Sequence, residues 1–389
     1  MAGKSRGFGI SASIAGDWKA TAVRASIDKL IYQMVFPYLG VYLVGLGASG
    51  AALGLANGLG MGLSAFYGLF GIWLMHVEGL KRVYLGGILM TAFAYLLLGL
   101  SPGWVLAASG IVAWWWGSAE SGLCCNVVCG GSLKNEIRAT AMGMCESVAQ
   151  GTMSFLGPLL GAAVIGLVGV GVSGSPPPSA LRPLFYLAAA GEIGCFIYLG
   201  RSLAGEAWKP EKTRGAFKPL SLAFGSFRRA FAEPRLRRFI LISCLGSLPT
   251  GMVLPFTQLF AAQAKQAGAY TLAAMATASA IVSLVAGVPL GRLADIVGRK
   301  KTLFALAPFF LASNLLLVFA RGPFFLVVSG ICLGVYPVIQ VIQAAMGFEL
   351  VKSEDIGGWM AVLRFFRLFV GAALAILSGL IWDSLGGKW

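Results

Sequence analysis

The sequence predicts an all-α polytopic membrane protein made of two repeated helical bundles, and three observations carry this prediction. Hydrophobic residues make up 58% of the 389 residues and charged residues only 12%, whereas soluble domains carry about 25% charged residues. Eleven apolar runs are long enough, at about 20 residues each, to cross a bilayer as helices. Short sequence matches also recur along the chain at one fixed spacing.

The eleven apolar runs are predicted to be transmembrane helices. They follow a predicted cytoplasmic N-terminal segment, residues 1–25, in which basic residues interrupt any stretch long enough for a signal peptide. Several runs are rich in glycine, and small residues let membrane helices approach closely. The runs lie at 27–46, 50–74, 83–100, 104–131, 140–170, 183–202, 237–262, 270–291, 302–320, 323–349 and 358–381.

Sequence matches at a constant offset indicate an internal repeat. Residues 34–38 (Met-Val-Phe-Pro-Tyr) resemble residues 252–256 (Met-Val-Leu-Pro-Phe), at an offset of 218. Residues 134–136 (Lys-Asn-Glu) resemble residues 352–354 (Lys-Ser-Glu) at the same offset. Matches in the same order at one spacing predict two homologous halves related as parallel repeats, an architecture known from transporters.

The repeat divides the chain into two bundles joined by a polar cytoplasmic linker. The predicted domains are an N-terminal six-helix bundle over 26–203, the linker over 204–235 and a C-terminal five-helix bundle over 236–389. At the repeat offset, the sixth run has no counterpart before the sequence ends at Trp389. A twelfth helix is therefore expected to be missing. A truncated chain is the favoured explanation, and a genuine eleven-helix form stays open.

The distribution of basic residues predicts the orientation. If the N-terminus is cytoplasmic, all but four of the 30 Lys and Arg residues fall on the cytoplasmic side. The four exceptions are Arg182, Lys265, Arg321 and Lys388. This asymmetry predicts a multi-pass protein of the inner or plasma membrane with a cytoplasmic N-terminus. Because the basic residues are spread over every cytoplasmic loop, the net charge of +15 is no sign of nucleic-acid binding.

A charged turn ends the eighth apolar run. It reads G-x-L-A-D-x-x-G-R-K and contains Gly291, Asp295, Gly298, Arg299 and Lys300. Charges of this kind cost several kcal/mol each in lipid, so the turn is expected at a membrane surface. The pattern resembles the signature loop of the major facilitator superfamily of secondary transporters. The resemblance implies a two-bundle fold that moves a small molecule, and in some cases protons, by alternating access, with no cofactor and no obligate protein partner.

The resemblance also implies a conformational gate. In the family, this loop helps to hold the cytoplasmic ends of the two halves together when the protein faces outward. Asp295, Arg299 and Lys300 are expected to act in this way against the start of the fifth helix. Glu146 and Arg364 lie 218 residues apart and so occupy equivalent places in the two halves. We interpret both as gate or inter-helix pairing residues.

Polar residues at membrane depth are candidates for the substrate or proton pathway, because the first, fourth, seventh and tenth helices line the cavity in the family. Glu120 in the fourth run is a candidate for protonation or cation binding, with a neutral, hydrogen-bonded glutamic acid as the alternative. A stripe at i, i+4 and i+7 on the tenth run is a candidate cavity lining, with helix-to-helix hydrogen bonding as the alternative. The candidates are Glu120, Tyr336, Gln340, Gln343, Gln33 and Tyr38.

One motif bears on the direction of transport. Residues 157–161 (Gly-Pro-Leu-Leu-Gly) resemble the Gly-Pro motif of the family's antiporters, which favours proton-coupled export. Uptake of a small organic solute and a non-transporting, membrane-embedded partner or sensor stay open as alternatives. An enzyme is not expected, because the chain has one histidine, no nucleophile motif and no metal-spaced cluster of His, Cys and Asp residues.

Overall fold

A computed structural model of the chain describes residues 12–132, 151–168, 175–203, 225, 227–351 and 356–385. The described residues are helical apart from short connecting turns, and none of them forms a strand. In chain order, the helices are α1 (Ala12–Gly45), α2 (Gly50–Glu78), α3 (Leu80–Leu100), α4 (Trp104–Ser132), α5 (Gly151–Leu167), α6 (Pro178–Ser202), α7 (Pro234–Leu245), a π-helical turn (Pro249–Val253), α8 (Leu254–Ala264), α9 (Ala269–Val297), α10 (Arg299–Phe319), α11 (Pro323–Leu333), α12 (Tyr336–Phe348) and α13 (Ile356–Leu385).

Eight helical segments of the described chain are long and apolar enough to cross a membrane. Helix α5 is shorter, and the predicted run at 140–170 lies partly outside the described residues. Helix α1 begins well before the predicted start at residue 27, because charged side chains continue the helix ahead of its apolar stretch. The predicted all-helical membrane class is confirmed, and the total of eleven membrane-spanning helices stays a prediction.

Two of the predicted spans are interrupted rather than continuous. The run predicted at 237–262 consists of α7, the π-helical turn and α8, with Pro249 and Pro255 at the starts of the last two pieces. Proline lacks the backbone N–H that an α-helix needs, and the ring displaces the preceding turn. The run predicted at 323–349 is broken between α11 and α12, just before Pro337. Both breaks lie beside the cavities described below.

The two halves of the chain pack against each other through two symmetry-related helix pairs. Helix α2 packs along α13, and α5 packs along α9. At the repeat offset, α2 of the first half corresponds to α9 of the second half, and α5 corresponds to α13. The α2–α13 contact is therefore equivalent to the α9–α5 contact. Helix α1 also packs against α8. Equivalent helices of the two repeats thus form the interface between the halves.

The helix ends define two faces of the molecule. We call the face with the turns at Gly79 and Gly298 the basic end, since it holds the turn with Arg299 and Lys300. The opposite face, with the turns at 46–49 and 265–268, is the distal end. Gly79 and Gly298 both have φ near +90 to +100°, a conformation that glycine adopts without steric cost. These equivalent glycines turn the chain sharply between α2 and α3 and between α9 and α10.

Candidate functional site

A cavity of about 680 Å³ lies between the two halves. Helices α1 and α5 of the first half and α8, α9, α11 and α12 of the second half contribute its walls. Such a volume lies within the range of small-molecule sites, roughly 300–1,000 Å³. Polar side chains lie among the apolar residues of the lining; they are Lys29, Tyr32, Gln33, Ser154, Gln258, Ser279, Ser283, Tyr336 and Gln340.

The halves are closely joined at the distal end. The Tyr38 hydroxyl of α1 donates a hydrogen bond of 3.1 Å to the Ala269 carbonyl oxygen at the start of α9. Gly54 of α2 lies so close to α13 that a Cβ atom at this position would sit 2.4 Å from the Ala375 carbonyl oxygen. Small residues permit this backbone-to-backbone approach in membrane helices. The cavity is therefore sealed on the distal side.

Asp383 near the end of α13 forms hydrogen bonds with the start of α2 at the distal end. Its Oδ1 accepts from the Gly50 N–H at 2.7 Å, and its Oδ2 accepts from the Ala51 N–H at 2.9 Å. The next N–H, that of Ala52, donates to the Ser49 side chain. The first N–H groups of a helix have no partner within the helix and carry a partial positive charge. A carboxylate from the other half therefore caps α2 across the interface.

Asp383→Asn is expected to weaken this closure. One carboxylate oxygen and the negative charge are lost, which should lower the free energy of unfolding by about 1–3 kcal/mol. The measurement is thermal unfolding of the purified chain in detergent. Ser384→Ala is the matched control, because the Ser384 hydroxyl bonds only to the Ile381 carbonyl oxygen of its own helix. Equal unfolding temperatures for the two variants would show that the cap contributes nothing.

The same helices are separated toward the basic end. Gly287 and Gly291 of α9 line the cavity, and a Cβ atom added to either would meet no atom within 4 Å. The charged turn beyond them pairs within its own half. Arg299 lies 3.5 Å from Asp295 and 2.9 Å from Glu349, at the end of α12. The cavity thus opens toward the basic end, while the distal end is closed.

Solved structures of membrane transporters resemble the chain over nearly its whole length. A variant of the nucleoside transporter NupG is similar with a TM-score of 0.74 and 15% identity, over 95% of this chain and 92% of that chain. A bacterial homologue of the human lysosomal transporter Spinster, inward-facing and unoccupied, gives 0.71 and 16%, over 97% and 84%. The human organic anion transporter MFSD10 gives 0.60 and 17%, over 96% and 95%.

The chain has the major facilitator fold. The signature pattern at 291–300 therefore predicted the fold correctly. No family model matches the sequence, and no curated protein matches it either. Since the identities are low, the three-dimensional likeness establishes the fold, and the roles of individual residues have to be argued from this chain.

Within the major facilitator fold, the polar stripe of the tenth span does two things at once. The Tyr336 hydroxyl shares a hydrogen bond of 2.8 Å with Thr250, and Gln340 Nε2 donates to the Gly246 carbonyl oxygen at 3.2 Å. Gln343 Nε2 donates to the Ile242 carbonyl oxygen at 3.4 Å. Tyr336 and Gln340 also line the large cavity. The stripe thus joins α12 to the broken seventh span and presents polar groups to the cavity.

The other predicted pathway residues divide between the cavity and the helix packing. Gln33 lines the cavity, whereas Tyr38 is fully buried in the distal closure. Glu120 is 8% exposed, lies against Gly87 of α3 and is absent from the cavity lining. Its Oε1 atom lies beside Gly86 of α3, where an added Cβ atom would sit 3.6 Å away. The structure places Glu120 inside the N-terminal half, behind the wall of the cavity.

The predicted gate residues are brought together only in part. Gly291 lines the cavity, and Asp295 pairs with Arg299. Lys300 is exposed at the basic end, beyond the Gly298 turn. Arg364 lines a second, smaller cavity of about 270 Å³. Glu146 lies outside the described residues, so its role as a gate or inter-helix pairing residue stays a prediction.

A buried charge cluster in the N-terminal half was not anticipated as a unit. Arg24 of α1 is 2% exposed and lies 3.2 Å from Asp28 and 3.8 Å from Glu192 of α6, which is 0% exposed. The same guanidinium donates to the Ser121 hydroxyl at 3.3 Å and lies over the Tyr84 ring. The sequence signal was Glu192 inside the sixth apolar run, with Arg24 just ahead of the first run. Only the fold shows that they meet.

None of the described His, Cys, Asp and Glu residues form a group of three or more that could hold a metal ion. The described cysteines form no disulfide with one another, and Cys124 and Cys129 are buried in α4. Burial among apolar neighbours is the usual place of a cysteine that serves packing. The chemistry of the site consequently rests on hydroxyl, amide and guanidinium groups.

Proposed function

We propose that this protein is a secondary active transporter that moves a small solute across the cytoplasmic membrane by alternating access. The observation that supports the proposal is the cavity between the two halves, closed at the distal end and open toward the basic end. Alternating access requires a site whose two ends can be sealed in turn as the halves rock against each other. The chemical groups of the lining are typical of a site that orients a small solute.

The orientation in the membrane follows from the basic residues. The basic end is cytoplasmic, with the N-terminus on the same side, because Lys and Arg accumulate in cytoplasmic loops. The described conformation is then inward-facing. In the opposite conformation, the turn with Asp295, Arg299 and Lys300 would close against the predicted start of the fifth apolar run, which includes Glu146. Rearrangement of charge pairs is a common way to switch between such states.

The favoured mode is export coupled to protons, with Glu120 as the group that takes up and releases the proton. Its burial inside the N-terminal half and its position against α3 support a carboxyl group that responds to the packing of α3 and α4. Membrane-embedded carboxyl groups are common proton carriers in transporters. Uptake of a small organic solute by the same fold is the second candidate, and it differs only in the direction of coupling.

Glu120→Gln is expected to uncouple transport from the pH gradient. Sealed vesicles that contain the purified chain are tested for flux of a solute panel, with and without an imposed pH gradient. If the carboxyl group is needed for coupling, its replacement should lower the gradient-driven flux at least about tenfold, as the loss of one essential polar group does. Glu78→Gln is the control, because Glu78 is exposed at the end of α2 and pairs with the exposed Arg82.

The outcomes separate the parts of the proposal. Gradient-driven flux that is equal in wild type and Glu120→Gln would refute the role of Glu120 and leave the transporter proposal standing. Solute accumulation against the gradient from outside to inside would identify uptake. Absence of flux for every solute of the panel would contradict the transporter proposal and favour a membrane-embedded partner or sensor.

A further inference from the structure

The smaller cavity lies in the C-terminal half, where two arginines face the broken seventh span. Arg364 and Arg367 lie three positions apart on α13, so they share one face of the helix. Both line this cavity of about 270 Å³, together with Ser243 of α7 and Thr250 of the π-helical turn. Met61 of α2 closes the wall from the other half. Two cations at such a place in a membrane helix need a compensating group.

The described surroundings do not supply a negative charge. None of the described lining residues of either cavity is an Asp or a Glu, while the lining of the smaller cavity holds two cations, Arg364 and Arg367. Arg367 donates a hydrogen bond to the neutral amide oxygen of Gln340. The Arg364 side chain is exposed and has no hydrogen bond or ion pair with another described residue, although α13 is long and apolar enough to cross the membrane. Among the described residues, the lining of the smaller cavity therefore carries a net positive charge.

We propose that the smaller cavity binds the oxyanion group, a carboxylate or a phosphate, of the transported solute, so that the protein carries organic anions. This inference rests on the proposed transport function. A guanidinium group presents paired N–H donors that match two oxygens of a carboxylate or phosphate, and such charge-assisted bonds are strong. The hydroxyl of Ser243, which is buried beside the arginines, adds a further donor.

The two cavities are placed to hold the two parts of one solute. Gln340 lines the large cavity and accepts the hydrogen bond of Arg367, which lines the small one. An anionic group at the arginines thus leaves the remainder of the solute in the larger, mostly apolar space. The small volume is that of a subsite, since complete ligand sites span roughly 300–1,000 Å³.

The subsite also lies where the two halves meet. Met61 of α2 lines it and contacts Gly371 of α13: a Cβ atom added there would sit 2.5 Å from the terminal methyl carbon of Met61. Any motion of α2 along α13 therefore changes the wall next to Arg364 and Arg367. A bound anion would gain or lose contacts as the halves rock, which is what a ligand must do to favour one conformation.

The test measures thermal unfolding of the full-length chain in detergent with increasing concentrations of succinate or phosphate, at constant ionic strength. Succinamide, which is uncharged, serves as the neutral probe. We expect both anions to raise the unfolding temperature of the wild type, and succinamide to have no effect. Arg364→Gln and Arg367→Gln should each raise the half-saturating anion concentration at least about tenfold, which is the usual effect of losing one charge-assisted hydrogen bond. Arg321→Gln, at an exposed arginine of the distal end, should behave as wild type.

A second variant keeps the test decisive if the arginine variants do not fold. Ala344 of α12 lines the same cavity, and Ala344→Asp would fix a carboxylate opposite the arginines. We expect this variant to be folded and to have lost its response to succinate and phosphate. An undiminished response in Ala344→Asp, or equal responses in Arg364→Gln and wild type, would overturn the proposal and leave Arg364 to a gate pairing.

Two further arms identify the source of the anion and separate this inference from the transporter proposal. Stabilisation by phosphatidylglycerol alone, with no effect of succinate or phosphate, would assign the arginines to lipid headgroups and overturn the solute site. Flux of labelled succinate in vesicles is measured in parallel with that of uncharged solutes. Transport of uncharged solutes without anion binding would refute the anion site only. Anion binding without any flux would refute the transporter proposal, and with it anion transport, while the binding site itself would stand.

Discussion

Gly54→Leu is expected to drive the two halves apart at the distal end and to remove the described conformation. A Cβ atom at Gly54 would lie 2.4 Å from the Ala375 carbonyl oxygen and 2.9 Å from the Gly379 Cα atom. Both are backbone atoms of α13, so no side-chain rotation can make room. Overpacking of this kind costs typically 1–3 kcal/mol and sometimes more. Since each 1.4 kcal/mol changes a population tenfold, the distal end should be open in most molecules.

The measurement is the reactivity of a cysteine that replaces Gln33 in the large cavity, in a chain whose seven native cysteines are serines. In sealed vesicles, a membrane-impermeant thiol reagent should reach this cysteine from the basic side in the parent chain. In Gly54→Leu, labelling from the distal side should rise at least about tenfold. Gly68→Leu is the control on the same helix, because a Cβ atom at Gly68 meets no atom within 4 Å. Unchanged labelling in Gly54→Leu would refute the tight distal closure.

The sequence predicted the fold because the fold depends on patterns that repeat along the chain. Apolar length identified the helices, and the pattern at 291–300 identified the arrangement that the solved transporters share. The breaks in the seventh and tenth spans were harder to predict. Pro249 and Pro255 lie at the first break and Pro337 lies at the second. Hydropathy alone presents each of these runs as one uninterrupted helix.

Individual site residues were harder to predict, because a polar residue on a membrane helix can face a cavity or another helix. Gln33, Tyr336 and Gln340 line the large cavity, and their role in transport stays a prediction. Tyr38 is only five residues from Gln33, more than one turn further along α1, and its hydroxyl is used in the distal closure. Glu120 faces α3. Whether a side chain faces the cavity or another helix depends on the rotation of each helix about its axis. A single sequence does not contain this information.

We propose that a carboxylate next to a helix N-terminus closes each end of the molecule in turn. At the distal end, the Asp383 carboxylate caps the start of α2 across the halves. The family resemblance implies an equivalent role for Asp295 near the start of the fifth helix at the basic end. A carboxylate next to a helix N-terminus is stabilised by the unpaired N–H groups and by the helix dipole. We expect the two contacts to form in turn, since one closure is made as the other opens.

Arg24→Met is expected to be the most destabilising single substitution in the N-terminal half. The guanidinium is the only described cation beside Asp28 and Glu192, and it connects α1 to α4 and α6. Removing one partner of a buried ion pair costs roughly 3–5 kcal/mol, because the remaining charge is buried without compensation. We expect a large fall in the unfolding temperature or failure to obtain a monodisperse protein. Lys19→Met, at an exposed position of the same helix, is the control.

A double-substitution cycle distinguishes charge compensation from simple loss of packing around Arg24. Neither carboxylate oxygen of Glu192 has a hydrogen-bond partner among the described residues, so its charge depends on Arg24. Adding Glu192→Gln to Arg24→Met should therefore restore part of the stability, with a coupling energy of about 0.5–3 kcal/mol. The readout is thermal unfolding of the four chains in the same detergent. Additive losses, with no recovery in the double variant, would mean that Arg24 serves packing and that Glu192 does not depend on its charge.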